Sequence, residues 1–278
     1  MTPSLHTLAL ALARRDPPAP GSTRLAEAEA WAADQARLAA LVPTLAIERA
    51  TPAERWAWLA EALRLERPSR YLQVLRGCGG LRRWLPEVEA LFGVPQLSDG
   101  PEWMDVGEHQ LRVVDEAART GQPLAVRFAA LMHKIGKGGT PREIWPSHYK
   151  HEQRGQALLD ALATRLAVPA DALALAHLAI GEADRIHRAS DVRAGAMAAM
   201  LQRLAAQAQP ARFEALLQVC TCDFAAYPGH DAASYPKART WRRALQASLA
   251  CPLDGLDDEA ALQRQAEAIA QALGPALR

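Results

Sequence analysis

The sequence predicts an all-α protein, an irregular helical bundle, and three observations carry that expectation. Apolar residues recur at three- and four-residue spacing along most of the chain, the period of a helix face. Helix start signals recur as well, Thr51-Pro52-Ala53-Glu54 the clearest of them. No stretch alternates apolar and polar residues with the two-residue period of a half-buried strand, and no internal repeat is present.

Composition sets the limits. Half of the 278 residues are hydrophobic, enough core for one extended domain or two modest ones. A formal charge of +1 gives no global attraction to nucleic acid or acidic lipid, so any polyanion site must be a local patch. Cys78, Cys220, Cys222 and Cys251 have neither zinc-ribbon spacing nor the density of a disulfide scaffold, which suggests a reducing compartment. Leu5 to Ala13 is apolar but is followed, not preceded, by Arg14-Arg15, the wrong order for a secretory signal. With no stretch long enough to span a bilayer, the expectation is a cytoplasmic protein without a membrane partner. The oligomeric state is left open, a homo-oligomer included.

Taken in order, Leu5 to Arg15 reads as a short helix that Asp16-Pro17-Pro18-Ala19-Pro20-Gly21 must break. Ser22 to about Leu41 is Ala-rich and charged, a helix on the surface. After the capping box at Thr51, Trp56, Leu59 and Leu63 form one apolar stripe. Arg64, Arg67, Arg70, Arg76, Arg82 and Arg83 follow, with Tyr71 and Trp84 among or beside them. Arginine forks grip phosphates and aromatic rings stack on bases, so Arg76, Arg82 and Arg83 are candidate RNA contacts. The competing reading makes these arginines the wet faces of short helices, with Tyr71, Val74 and Leu75 in the core.

Gly93 to Pro101 reads as a loop and Trp103 to Thr120 as a helix on which His109 shares the inward face of Val106 and Val113. The next helix starts at Pro123 and aligns Val126, Ala130 and His133, so two histidines on inward faces can meet. Leu131-Met132-His133-Lys134-Ile135-Gly136-Lys137-Gly138 closes that helix in a glycine-rich turn. Thr140-Pro141-Arg142-Glu143 reads as a second capping box, and His148 and His151 precede a helix reaching about Leu166. Six of the eight histidines lie between residues 109 and 187, the pattern by which helices pool metal ligands, since no single helix offers enough. Farther on, Met197, Met200, Leu201 and Leu204 make one stripe and Phe213, Leu216, Leu217 and Cys220 another. Asp223 continues the second stripe, where a carboxylate is costly to desolvate without a positive partner. Cys220 and Cys222 read as packed thiols. Asp257 to Leu277 reads as a last amphipathic helix.

The run from Arg127 to His148, with Val74-Leu75-Arg76, Leu91-Phe92-Gly93-Val94-Pro95, His109 and Ser234-Tyr235-Pro236, resembles the HD-domain region of bacterial CCA-adding tRNA nucleotidyltransferases. The resemblance covers roughly residues 51 to 248. It implies residues 1–50 as N-terminal helices and linker, 51–100 as a neck-like segment, 101–250 as an HD-type domain and 251–278 as a C-terminal helix. The family's nucleotidyl-transferring head would lie upstream. Gly21-Ser22 matches only a glycine-serine pair of it, and too few residues precede Thr51 to fold that head, so the expectation is that this chain does not add CCA by itself.

By the same resemblance the body is similar to HD-superfamily phosphohydrolases, which use a helical His/Asp site and a divalent metal such as Ni, Mn or Mg to cleave phosphoesters. His109, His133, His151 and Asp223 match the metal ligands of that pattern, and Lys137 the lysine that would contact phosphate. Two positions depart from it: Lys134 replaces the aspartate that names the superfamily, and Ala183 stands where close relatives have a histidine. An ammonium does not ligate a metal and repels one, so the expectation is an impaired site that holds a divalent metal weakly or none at all, in which Lys134 pairs with Asp223 beside His109 and His133. A blander alternative has Lys134 capping carbonyls at its helix C-terminus. For His133 a hydrogen-bonded core role stays open beside the ligand role, and for His148 and His187 the core role is preferred. Two functions therefore remain: a phosphohydrolase acting on nucleotide or RNA phosphoesters with impaired chemistry, and a non-catalytic module that binds tRNA-like RNA or a protein.

Overall fold

The computed structural model describes residues 4–15, 25–42, 50–97, 103–188 and 193–274. Among these are fourteen α-helices and a single pair of two-residue strands, so the protein is all-α as its periodicity predicts. The chain divides into two compact units, Met1–Ile180 and Gly181–Arg278. The Gly21-Ser22 pair and the Asp16–Gly21 linker lie outside the described residues.

In the first unit, α1 (Leu5–Ala13) begins at Ser4, whose hydroxyl accepts from the Thr7 N–H at 3.1 Å. The helix α2 (Leu25–Leu41) is mostly exposed and anchored by buried Leu38. The capping box forms as its sequence predicts. Thr51 accepts from the Glu54 N–H and Glu54 accepts from the Thr51 N–H at 2.7 Å, opening α3 (Pro52–Leu63). The helix α4 (Pro68–Gly77) has no cap of its own; Asp115 supplies one from a distant helix, accepting from the Ser69 N–H at 2.9 Å and its hydroxyl at 2.6 Å. Short helices α5 (Gly80–Trp84) and α6 (Pro86–Glu89) complete the arginine-rich segment. Tyr71, Val74, Leu75 and Trp84 are buried there, so the two rings pack the core and do not offer stacking faces to RNA.

The loop expected over Gly93–Pro101 contains a strand. Pro95–Gln96 (β1) pairs antiparallel with Met104–Asp105 (β2), too short to leave an alternating signature. Asp105 then caps α7 (Val106–Arg119), accepting from the Glu108 N–H at 2.8 Å. The following helix α8 (Leu124–Met132) is apolar on every side but one, and Arg127 on it braces three chain ends. Its guanidinium donates to the carbonyls of Leu63 (2.8 Å), Gln122 (2.8 Å) and Ala118 (3.4 Å), so it ties the ends of α3 and α7 to α8. Thr140 does not cap a helix. A 3-10 turn, Arg142–Ile144, forms instead, and the Thr140 hydroxyl is drawn into contacts with His148 and Arg154. The unit ends with α9 (His151–Arg165) and the first part of α10 (Ala170–His187).

The second unit begins with the last turns of α10 and adds α11 (Ala194–Arg203), α12 (Pro210–Ala225), α13 (Pro236–Leu249) and α14 (Asp258–Leu273). Phe213 meets Trp241 edge to face with centroids 5.9 Å apart, and the Trp241 indole N–H donates to the Ile186 carbonyl at 3.3 Å. Buried Glu182 accepts both ends of the Arg203 guanidinium at 2.7 Å, the bidentate arrangement that lets a carboxylate lie inside.

Candidate functional site

Helices α7 and α8 bring the central side chains of the first unit together. On α7 the inward face carries two adjacent polar residues, His109 and Gln110, both fully buried. On α8 the last hydrogen-bonded turn ends with the His133 N–H on the Ala129 carbonyl at 2.9 Å, and Lys134 leaves the helix to open the 3-10 turn Ile135–Lys137. The Lys134 Nζ ends 3.2 Å from His109 Nε2, and both residues are buried, Lys134 at 4% exposure. Two cations at this separation would repel. The contact is therefore an ammonium donating to the lone pair of a neutral imidazole, which places the His109 ring proton on Nδ1.

Gln110 orders the neighbouring histidine. Its amide nitrogen faces the Ala130 and Leu131 carbonyls, the latter at 3.1 Å, and lies 2.9 Å from His133 Nδ1. Both amide hydrogens are engaged by those two carbonyls, so Nδ1 of His133 carries its own proton toward the Ala130 carbonyl at 2.9 Å. This leaves the acceptor lone pair of His133 on Nε2, the tautomer in which a backbone-anchored histidine serves as a metal ligand. Sequence reasoning passed over Gln110. Its signal was a carboxamide between Val106 and Val113 on an apolar helix face, where a polar group must have a structural partner.

The glycine turn is tight because another backbone presses on it. A Cβ on Gly136 would lie 1.9 Å from the His151 carbonyl oxygen and 2.5 Å from the Gly155 nitrogen. Glycine at 136 thus seats the Ile135–Lys137 turn on the first turns of α9 and brings buried His151 to that turn. The His151 Nδ1 lies 3.1 Å from the His148 carbonyl and 3.5 Å from a Glu152 carboxylate oxygen. His148, with φ of 49°, is the hub of a network: Arg154 donates to the Thr140 hydroxyl at 2.9 Å, Thr140 donates to His148 Nδ1 at 3.1 Å, and His148 Nε2 donates to the Pro95 carbonyl at 2.8 Å. Burial pushes the His148 pKa below the ordinary histidine value, and the nearby charges of Lys137, His151 and Arg154 add to that, keeping it neutral. The core role expected for His148 holds. Lys137, half-buried, donates from Nζ to the Gln96 carboxamide oxygen at 3.0 Å and so joins the turn to β1.

In the second unit Asp223 is buried at 3% exposure on α12, and His187 Nε2 lies 3.0 Å from one of its oxygens. The other nitrogen of His187, Nδ1, is 2.7 Å from the Tyr235 hydroxyl. Burial, then the charges of Cys220 and Asp223, push the Tyr235 phenol far above its ordinary range, so it stays protonated as donor to His187. A neighbour of Asp223 is thus His187, a residue read from the sequence as core only. Cys220 and Cys222 are buried and outside any disulfide, consistent with packing. Ala183 is buried and apolar.

Of the three candidate RNA arginines, Arg82 and Arg83 are exposed on α5. The Arg76 guanidinium lies 3.9 Å over the Phe92 ring and 3.9 Å from a Glu89 oxygen, so part of its charge is spent within the protein.

As a metal centre the first-unit cluster fits poorly. His133 presents a suitable tautomer, whereas the Nε2 lone pair of His109 is occupied by the Lys134 ammonium.

No family model matches the chain. Among curated proteins it is similar to the multifunctional CCA protein of Laribacter hongkongensis, 44% identical over 202 residues, which cover 73% of this chain and 50% of that protein. It is 42% identical over 232 residues to the protein of the same name from Leptothrix cholodnii, covering 83% of this chain and 54% of the relative. The chain is homologous to the C-terminal part of the multifunctional CCA proteins. A third such protein, from Cupriavidus necator, is 42% identical over 204 residues. This CCA-protein relative spans about half the length of the curated proteins it matches. No helix among its described residues is long and apolar enough to cross a membrane.

Proposed function

We propose that this chain is an HD-type phosphohydrolase body, built for nucleotide or RNA phosphoesters, whose metal chemistry Lys134 has disabled and whose working role is to bind tRNA-like RNA. The observation that carries the proposal is the buried Lys134 ammonium at 3.2 Å from His109 Nε2. A divalent Ni, Mn or Mg ion held at His109 would sit within about 4 Å of that ammonium, a repulsion of roughly 8 kcal/mol at an effective dielectric constant of about 20. Burial leaves little water to screen it. The His109, His133 and His151 ligands are retained in type, as is Lys137, the residue that the resemblance pairs with phosphate. Without a metal there is no activated water, so the retained cations serve binding.

RNA is favoured over a protein partner by the exposed Arg82 and Arg83 at the end of α5 and by the name shared by the relatives. The test has two arms on the same preparation. Hydrolysis of 2′,3′-cyclic nucleotide and p-nitrophenyl phosphate with added nickel, manganese or magnesium is expected to be absent. Binding of tRNA is expected to weaken with salt, and Arg82→Ala with Arg83→Ala should lower the slope of log K against log salt by about 0.7 to 0.9 for each phosphate contact removed. Metal-dependent turnover by the unmodified chain overturns the first half of the proposal, and an unchanged salt slope in the double variant overturns the second.

A further inference from the structure

A cleft in the first unit is placed to take one flipped-out base. It has a volume of about 350 Å3 and is lined by Trp31 and Gln35 of α2 and by Arg70, Gln73, Val74 and Gly77 of α4. All four α4 residues belong to the arginine-rich segment. The aromatic rings of that segment, Tyr71 and Trp84, are buried and cannot meet a ligand. Trp31, contributed by the neighbouring helix and only half-buried, supplies the stacking face that the segment itself lacks.

The polar lining is unusual in one respect. The Gln35 side-chain oxygen is buried yet has no hydrogen-bond partner. Buried carboxamide oxygens are nearly always satisfied, and leaving one open costs roughly 1 to 3 kcal/mol. Gly77 contributes by its size, since a Cβ there would come within 3.2 Å of the same oxygen and wall it off. The open acceptor asks for a ligand with an N–H donor, Trp31 for a flat π-system, and Arg70 at the rim for negative charge. The cleft is too small for a helix or a folded partner, and one nucleotide combines all three features.

We infer that this cleft binds a single unstacked RNA nucleotide, with the base on Trp31, one of its N–H groups donating to Gln35 and its phosphate toward Arg70. The inference presumes the RNA reading above but concerns a separate surface, so each can fail alone. Stacking of one base on an aromatic side chain is sequence-tolerant, and every nucleobase carries an N–H donor for Gln35, so the cleft distinguishes a nucleotide from a bare sugar phosphate and not one base from another.

The experiment titrates 5′-AMP and ribose 5-phosphate into the full chain by calorimetry. AMP is expected to bind with roughly tenfold or greater advantage over ribose 5-phosphate, which lacks the base, and Trp31→Ala to weaken AMP by roughly tenfold or more. Trp31→Phe should retain most of the affinity, and Gln35→Leu should weaken AMP by roughly fivefold while leaving ribose 5-phosphate unchanged, which separates recognition from a folding defect. Absence of AMP binding, or AMP binding unchanged in both Trp31→Ala and Gln35→Leu, overturns the inference. If tRNA binding weakens in the Arg82/Arg83 variant but not in these two, the cleft is refuted while the RNA reading stands.

Discussion

Replacing Gly136 with alanine isolates the contact that shapes the candidate site. Gly136 has no left-handed backbone angle, so alanine meets no conformational objection there, and by chain entropy alone the change would stabilise the protein by about 0.4 to 1 kcal/mol. Packing reverses the sign. The new methyl would stand 1.9 Å from the His151 carbonyl oxygen, 2.5 Å from the Gly155 nitrogen and 2.9 Å from the Gly155 Cα, all backbone atoms that no rotamer change can clear. Restoring ordinary contact at 3.4 Å requires the Ile135–Lys137 turn and α9 to part by about 1.5 Å. Overpacking of this kind costs about 1 to 3 kcal/mol, and with backbone on both sides the upper end applies. Urea unfolding followed by circular dichroism should show a loss of about 3 kcal/mol, with Gly139→Ala as the control, since its nearest neighbour is the flexible Arg154 Cδ at 3.8 Å. A Gly136→Ala protein as stable as the parent would refute the close approach, and with it the argument that this turn positions His151.

Two further perturbations test the frame around the site. Arg127→Lys keeps the charge but cannot reach the Leu63, Gln122 and Ala118 carbonyls together, so urea unfolding should show a loss of about 2 kcal/mol; a change under about 0.5 kcal/mol would show that the brace contributes nothing. Asp115 tests the borrowed cap of α4. Burial raises its pKa above 3.8, although the Ser69 hydrogen bonds and Arg67 pull the other way. An acid with a raised folded-state pKa binds more protons folded than unfolded in the interval above 3.8, so its contribution is fullest below that value and declines as pH rises through the folded pKa. The stability advantage of the parent over Asp115→Asn should therefore shrink between acidic and neutral pH, and an advantage that grows with pH would contradict the assigned direction.

The helices were legible because their signals are local. The Thr51–Glu54 box and the stripes of α7 and α12 needed only residues a few positions apart, and each formed. The burial of His109, His133 and Asp223 followed from the same periodicity. The failures share a different cause. The cap of α4 comes from Asp115, 46 residues away, and β1 and β2 are two residues each, so neither leaves a local pattern. Thr140-Pro141-Arg142-Glu143 had the composition of a capping box, but the Thr140 hydroxyl is claimed by Arg154 and His148, a tertiary contact that outweighs the local preference. The reading of the arginine-rich segment that put Tyr71, Val74 and Leu75 in the core held, and Trp84 is buried as well. His187 reached Asp223 across 36 positions, and no spacing rule connects the two.

Metal content decides the matter most directly. After incubation with nickel, manganese or magnesium at neutral pH and removal of free ion, elemental analysis of the unmodified chain should find far less than one ion per molecule. Lys134→Asp, which removes the ammonium beside His109 and restores an oxygen ligand, should retain metal. Stoichiometric metal on the unmodified chain that disappears in His109→Ala would mean that Lys134 does not guard the site, and the account of a silenced hydrolase would be wrong.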